Sequence, residues 1–152
     1  MSQQIKFISK KNLIIWDFDG VIKDSIQAKG HAFGSLFGEK SSFIYNKVLN
    51  HHYKNGGISR FDKLKLYLSW AGLSNKEETI RQYSQKFSYA VVNEVINSPW
   101  IEGIEKYLHK CFENQTLALV SATPKDELVS ILLKLDIHKY FKFIFGYPTT
   151  KE

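Results

Sequence analysis

Two carboxylates, Asp17 and Asp19, close an apolar run and are followed at once by Gly20. Such a pair supplies a nucleophile candidate and a second carboxylate. The run before them, Leu13-Ile14-Ile15-Trp16, does not alternate. Such a run marks a parallel strand that is apolar on both faces. Open α/β sheets place their chemistry outside the carboxyl ends of such strands. Gly20 lets the chain turn sharply after the acids. Taken alone, an Asp-rich turn at a strand end is common.

Two further strands are expected. One is Thr116 to Ser121, and the other is about Lys142 to Phe145. Their tips add a hydroxyl, Ser121, and a cation shortly afterwards, Lys151. Lys125 is a rival cation, but it lies in the first turn of a predicted helix and points outward. That helix has Thr123 as its cap, Pro124 at its first position and Asp126 to complete a capping box. A nucleophile, a second acid, a hydroxyl donor and a fixed cation on one rim are what phosphoryl transfer needs.

Between the first two strands the pattern is helical from about Ser25 to Asn97. The first helix ends at Gly38 and the second runs from Ser41 to about Tyr53. Asn55-Gly56-Gly57 breaks the pattern. Ser59 caps a third helix, with Asp62 as an acidic capping-box partner. Ser74 or Asn75 starts a fourth helix, with Glu77 and Glu78 in its first turn. The order strand, helical insert, helix, strand, helix, strand predicts right-handed crossovers and a parallel sheet. The expected division is a core of residues 1–24 and 99–152 around an insert of residues 25–98.

Composition narrows the class. The chain has 152 residues, 43% hydrophobic and 24% charged, which suits one globular domain with an insert. Its single cysteine, Cys111, cannot form an internal disulfide. With no signal-peptide pattern, that predicts a reduced, cytoplasmic protein. No apolar run approaches the roughly 20 residues of a membrane span. The net charge is +6, yet the lysines are scattered and form no basic block. This argues against nucleic acid and suits attraction of a phosphorylated metabolite. His31, His51, His52, His109 and His138 have no metal-binding spacing and read as structural or surface residues.

The segment Asp17-Phe18-Asp19-Gly20-Val21-Ile22, with Asp24 and Ser25, resembles the first motif of the haloacid dehalogenase-like hydrolase superfamily. Leu119-Val120-Ser121-Ala122-Thr123-Pro124 resembles its second motif, and Phe145 to Lys151 the approach to its third. The resemblance implies a Rossmann-like α/β core with an inserted helical cap. It implies Asp17 as the nucleophile that forms an aspartyl-phosphate, and Asp19 as the acid and then the base. Ser121 and the amide of Ala122 would hold the phosphoryl oxygens, and Lys151 would neutralise them. Mg²⁺ would bind Asp17 and the backbone carbonyl of Asp19. An acid at position 19 favours a phosphomonoester hydrolase or a sugar-phosphate mutase over carbon–halogen cleavage. Gly56 to Leu64 resembles the cap loop of phosphoglycolate-phosphatase-like members, where Gly57 and Arg60 would meet the substrate.

The family's fourth motif, a strand ending in acidic residues, has no counterpart in this sequence. The first strand would then be a sheet edge. Two explanations are a shortened chain and a degenerate relative that covers the edge as a homodimer. In both, weak or absent phosphatase turnover is expected. The expected function is Mg²⁺-dependent hydrolysis of a small phosphorylated metabolite. A mutase and a non-catalytic binding or regulatory module are the alternatives.

Overall fold

The computed structural model describes residues 13–38 and 41–149. The chain divides into two compact units, one formed by residues up to Asp24 and from Pro99 onward, the other by Ser25–Ser98.

The first unit is a three-stranded parallel sheet in the order β1-β2-β3. The strands are β1 (Leu13–Trp16), β2 (Thr116–Pro124) and β3 (Phe141–Tyr147). In β1 and β2, Leu13 lies opposite Thr116 and Trp16 opposite Leu119. In β2 and β3, Ala118 lies opposite Phe143 and Val120 opposite Phe145. With strand order following chain order, right-handed crossovers carry both connecting helices over the same face. That face holds buried Trp16, Leu117 and Leu119. The second connecting helix (Lys125–Lys134) buries Leu128, Ile131 and Leu132 and packs on β2 and β3.

The opposite face is apolar as well. Alternation puts Leu13, Ile15, Ala118, Val120, Phe143 and Phe145 on it. Leu13 is 54% exposed and Ile15 67%. The Leu13–Trp16 run is therefore buried on one side only, not on both as its unbroken apolarity predicts. The helix before β2, which carries Tyr107 against Trp16, and the helix after β2 both cover the Trp16 side.

The second unit consists of four helices, labelled α1 (Ile26–Gly38), α2 (Ser42–Lys54), α3 (Arg60–Trp70) and α4 (Glu77–Asn97). Ser41 caps α2 by accepting from the Ile44 amide at 3.0 Å. Ser59 caps α3 by accepting from the Asp62 amide at 3.2 Å. Their core is aromatic. Phe33 stacks on Phe87 with ring centroids 4.0 Å apart, and Phe37 stacks on Tyr83 at 5.4 Å. A fifth helix, α5 (Ile104–Cys111), and the sixth, α6 (Lys125–Lys134), belong to the first unit. Among the described residues, no helix is long and apolar enough to cross a membrane.

Two helix starts differ from expectation. Thr123 does not cap α6, because β2 continues through it to Pro124, which pairs with Tyr147 across a register shift. Pro124 is the residue before the helix, and no side chain caps it. Likewise α4 begins at Glu77 behind Lys76, without a side-chain cap from Ser74 or Asn75.

Gly146 is what allows β3 to close on the end of β2. A Cβ there would lie 2.6 Å from the Lys125 Cα and 2.7 Å from the Thr123 carbonyl oxygen. Both are backbone atoms that cannot step aside. Gly146→Ala is expected to lower the unfolding free energy by about 1–3 kcal/mol, the usual cost of overpacking. A urea denaturation curve reads this directly, and an unchanged midpoint would contradict the close approach.

Candidate active site

The turn after β1 is built to hold two acids at the sheet rim. Phe18 is fully buried and anchors the segment between them. Its carbonyl accepts from the amides of Val21, Ile22 and Lys23 at 3.3, 2.9 and 3.3 Å. Gly20 takes φ of 73°, the left-handed region that a Cβ disfavours. Its amide donates to the Lys23 carbonyl at 2.8 Å. Asp17 and Asp19 flank buried Phe18 and are themselves half-buried. Asp17 Oδ1 also accepts from the Phe18 amide at 2.8 Å, which restrains its carboxylate.

The tip of β2 lies beside this turn. Because Trp16 is level with Leu119, the parallel register carries Asp17 alongside Val120, one residue before Ser121. Ser121 is 2% exposed. Its Oγ accepts from the Thr123 amide at 3.2 Å, so the hydroxyl hydrogen remains to donate elsewhere. Ala122 follows, half-buried. Asp17, Asp19, Ser121 and Ala122 thus all belong to the carboxyl-terminal rim of one pair of strands. Lys151 lies outside the described residues.

Gly57 and Arg60 belong to the helical unit. Gly57 is exposed in the loop before α3. Arg60 is 6% exposed. Its Nη1 donates to Ser88 Oγ at 2.6 Å, and its guanidinium carbon lies 4.5 Å from the centre of the Phe87 ring. Arg60 is therefore fixed in place by α4, where a residue at an exposed helix start would swing freely.

Sequence reasoning passed over several basic groups. Lys23 sits in the first turn, 3% exposed, with its ammonium 4.6 Å from the centre of the Trp100 ring. Burial lowers its pKa, and the Glu105 carboxylate partly offsets that. Lys29, His52 and Lys63 are buried in the helical unit. Nothing in their spacing distinguished them from the other lysines and histidines. Three of the four other histidines bond tyrosine hydroxyls, with His31 to Tyr45, His51 to Tyr67 and His109 to Tyr140 at 2.7, 2.9 and 2.6 Å. Among the described residues, no group of three His, Cys, Asp or Glu side chains could hold a metal ion. The rim does offer two carboxylates and a backbone carbonyl. That all-oxygen set suits Mg²⁺, which keeps several waters and takes only one or two protein carboxylates.

The family model of haloacid dehalogenase-like hydrolases matches residues 14–152. Comparison with curated protein sequences finds no match. Among solved structures, the chain is similar to a predicted phosphoglycolate phosphatase from Haemophilus somnus 129pt. The identity is 16%, over 93% of this chain and 65% of that one, with a TM-score of 0.62. It is also similar to a putative β-phosphoglucomutase from Thermotoga maritima, at 18% identity over 93% and 63% of the two chains, with a TM-score of 0.61. A third is the putative HAD-hydrolase YfnB from Bacillus subtilis, solved bound to magnesium. There the identity is 16% over 90% and 65%, with a TM-score of 0.61. At these identities the likeness is one of fold. The chain spans a little under two thirds of the length of these structures.

The basic groups around α3 leave a measurable trace on His51. Burial lowers its pKa below the ordinary 6.5, and the positive charge of Lys63 lowers it further. The unfolded chain then takes up a proton at His51 before the folded one does, so this group's contribution to stability fades as pH falls through 6.5. An NMR titration should place the His51 midpoint below 6.5, and Lys63→Met should raise it.

Proposed function

Because this chain belongs to the haloacid dehalogenase-like hydrolase family, we propose that it hydrolyses a small phosphorylated metabolite through an aspartyl-phosphate on Asp17. The observation that supports this reading is the parallel pairing of β1 with β2, which ends with Trp16 level with Leu119, so that the acids follow β1 on the side of the sheet toward which β2 runs on to Ser121.

Asp17 is the nucleophile. Its carboxylate oxygen attacks phosphorus in line with the leaving oxygen, and the bond from phosphorus to that oxygen breaks. Asp19 delivers its proton to the leaving oxygen, which departs as an alcohol. Asp19 then takes a proton from water, whose oxygen attacks phosphorus and releases phosphate. Asp17 returns as a free carboxylate. The Phe18 carbonyl, accepting from three successive amides, holds the turn that carries both acids. Ser121 Oγ–H and the Ala122 amide donate to the phosphoryl oxygens, a preorganised arrangement that needs no rearrangement as charge develops. Lys151 neutralises the same oxygens. Mg²⁺, held by Asp17 and the Asp19 carbonyl, supplies further neutralisation of phosphoryl charge when bound. The helical unit acts as the cap, and Gly57 and Arg60 contact the rest of the substrate. A guanidinium fixed by Ser88 suits a carboxylate or phosphate.

Beryllofluoride with Mg²⁺ mimics the phosphoryl group on an aspartate. Wild-type protein is expected to take up the adduct at Asp17, and Asp17→Asn is expected to lose it, read by fluorine NMR. With p-nitrophenyl phosphate, EDTA and Asp17→Asn should each abolish phosphate release, while Asp19→Asn should slow it by about 10²–10⁴-fold, the usual contribution of general acid–base catalysis. A protein that forms no adduct is a binding module. One that retains the phosphoryl group on a sugar is a mutase.

A further inference from the structure

A lysine is rarely buried unless its charge is matched. Lys23, in the turn that carries the two acids, is 3% exposed. Its ammonium lies over the Trp100 ring, 4.6 Å from the ring centre. A ring face attracts a cation, and the attraction strengthens where water is excluded. The Glu105 carboxylate, in the first turn of α5, favours the charged ammonium and works against the cost of burial. Both influences come from the segment that re-enters the sheet unit after Ser98. The lysine therefore joins two stretches of that unit that are distant in sequence.

The backbone of the same residue closes the turn. Its amide donates to the Phe18 carbonyl at 3.3 Å, and its carbonyl accepts from the Gly20 amide at 2.8 Å. Lys23 pairs with Asp19 in an isolated parallel bridge and with Trp100 in an antiparallel one. On either side of it, the Ile101 amide donates to the Ile22 carbonyl at 3.1 Å, and the Asp24 amide to the Pro99 carbonyl at 2.8 Å. The backbone at Asp19 is thus tied to Lys23, and Lys23 to Trp100. Short, isolated pairings of this kind open locally unless packing holds them. The ammonium on the Trp100 ring supplies such a hold at the residue where both pairings meet.

We infer that Lys23 is a positioning residue for Asp17 and Asp19, acting through its seat on Trp100, an assignment that rests on the phosphatase reading of this turn. A nucleophile and an acid work only within narrow limits of distance and angle, and a misplacement of about 1 Å can cost roughly 10²-fold in rate. Lys23 acts on the backbone that carries the acids, not on the reacting phosphorus. A methionine in its place keeps a similar length of chain and loses the charge. A leucine in place of Trp100 keeps an apolar side chain and loses the ring face. With one contact at work, the two losses are the same loss and do not add.

The test measures turnover of p-nitrophenyl phosphate by wild-type protein, Lys23→Met, Trp100→Leu and the double variant, with a urea curve for each so that rates refer to folded protein. Each single variant is expected to lower kcat about tenfold or more while KM stays within about twofold. The double variant is expected to lose no more than the larger single loss. A merely structural lysine would lower the urea midpoint and leave the kcat of the folded protein unchanged, and that result overturns the proposal. So does a double variant whose kcat losses multiply. Hydrogen exchange supplies a readout that needs no activity. The Gly20 amide, bonded to the Lys23 carbonyl, is expected to exchange about tenfold faster in Lys23→Met. Where wild-type protein releases no phosphate, this exchange decides alone, and an unchanged rate overturns the proposal. A wild-type protein that also takes up no beryllofluoride adduct removes the phosphatase reading and leaves the hold of Lys23 on the turn to stand or fall on that exchange. Should Lys23→Met or Trp100→Leu fail to fold, Trp100→Phe keeps a ring face of weaker attraction and is expected to move kcat and Gly20 exchange in the same directions by less. No movement of either then overturns the proposal.

Discussion

The short parallel pairing of β1 on β2 is the constraint on which the rim depends. Only Leu13 to Trp16 take part, matched to Thr116 to Leu119. Backbone hydrogen bonds contribute about 1 kcal/mol each net, so a ladder this short is weak by itself. Its position is secured by what lies at its end. Trp16 and Phe18 are buried in succession around Asp17, and burying a side chain of that size contributes roughly 1.5–3 kcal/mol. The apolar anchors therefore stand on either side of the carboxylate they hold in place. A shift of β1 by one residue would turn Trp16 outward and carry Asp17 off the Val120 level.

The helical unit solves a different problem with similar means. It lays basic groups against aromatic rings, buried in the case of Arg60 and Lys63 and exposed in that of Lys47. Arg60 rests on Phe87, Lys63 beside Phe33, and Lys47 over Trp70 at 4.2 Å. A cation over a ring face gains about 0.5–2 kcal/mol, which offsets part of the cost of burial. The hydroxyl of Tyr67, bonded to His51 and buried, has its pKa raised because the phenolate would be stranded without solvent. The Tyr67 phenol is thus held neutral within the unit.

The sequence made the strand order, the helix positions and the acidic turn legible, because each rests on local pattern. Ser41 and Ser59 cap where their side chains predict, and Gly20 turns where two acids need it. What could not be read depends on partners distant along the chain. Thr123-Pro124-Lys125-Asp126 has the composition of a helix start, yet pairing of Pro124 with Tyr147 draws Thr123 into β2. Leu13-Ile14-Ile15-Trp16 carries no mark to say that only one face is covered. His52 and Lys63 lie on different helices, and their contact emerges only when α2 and α3 pack. Arg60 was visible as a candidate, but its fixation by Ser88 on α4 was not.

The two chain crossings into the helical unit are laced together within the sheet unit. The Asp24 amide donates to the Pro99 carbonyl at 2.8 Å, and the Ile101 amide to the Ile22 carbonyl at 3.1 Å. Strand β1 must find a neighbour about a hundred residues further along, a search whose entropic cost grows with the logarithm of loop length. A folded insert whose entry and exit meet shortens that search to the few residues outside the lacing. The insertion thus adds many residues between β1 and β2 at little topological cost. Sequence drift in its loops is likewise insulated from the register that sets Trp16 level with Leu119.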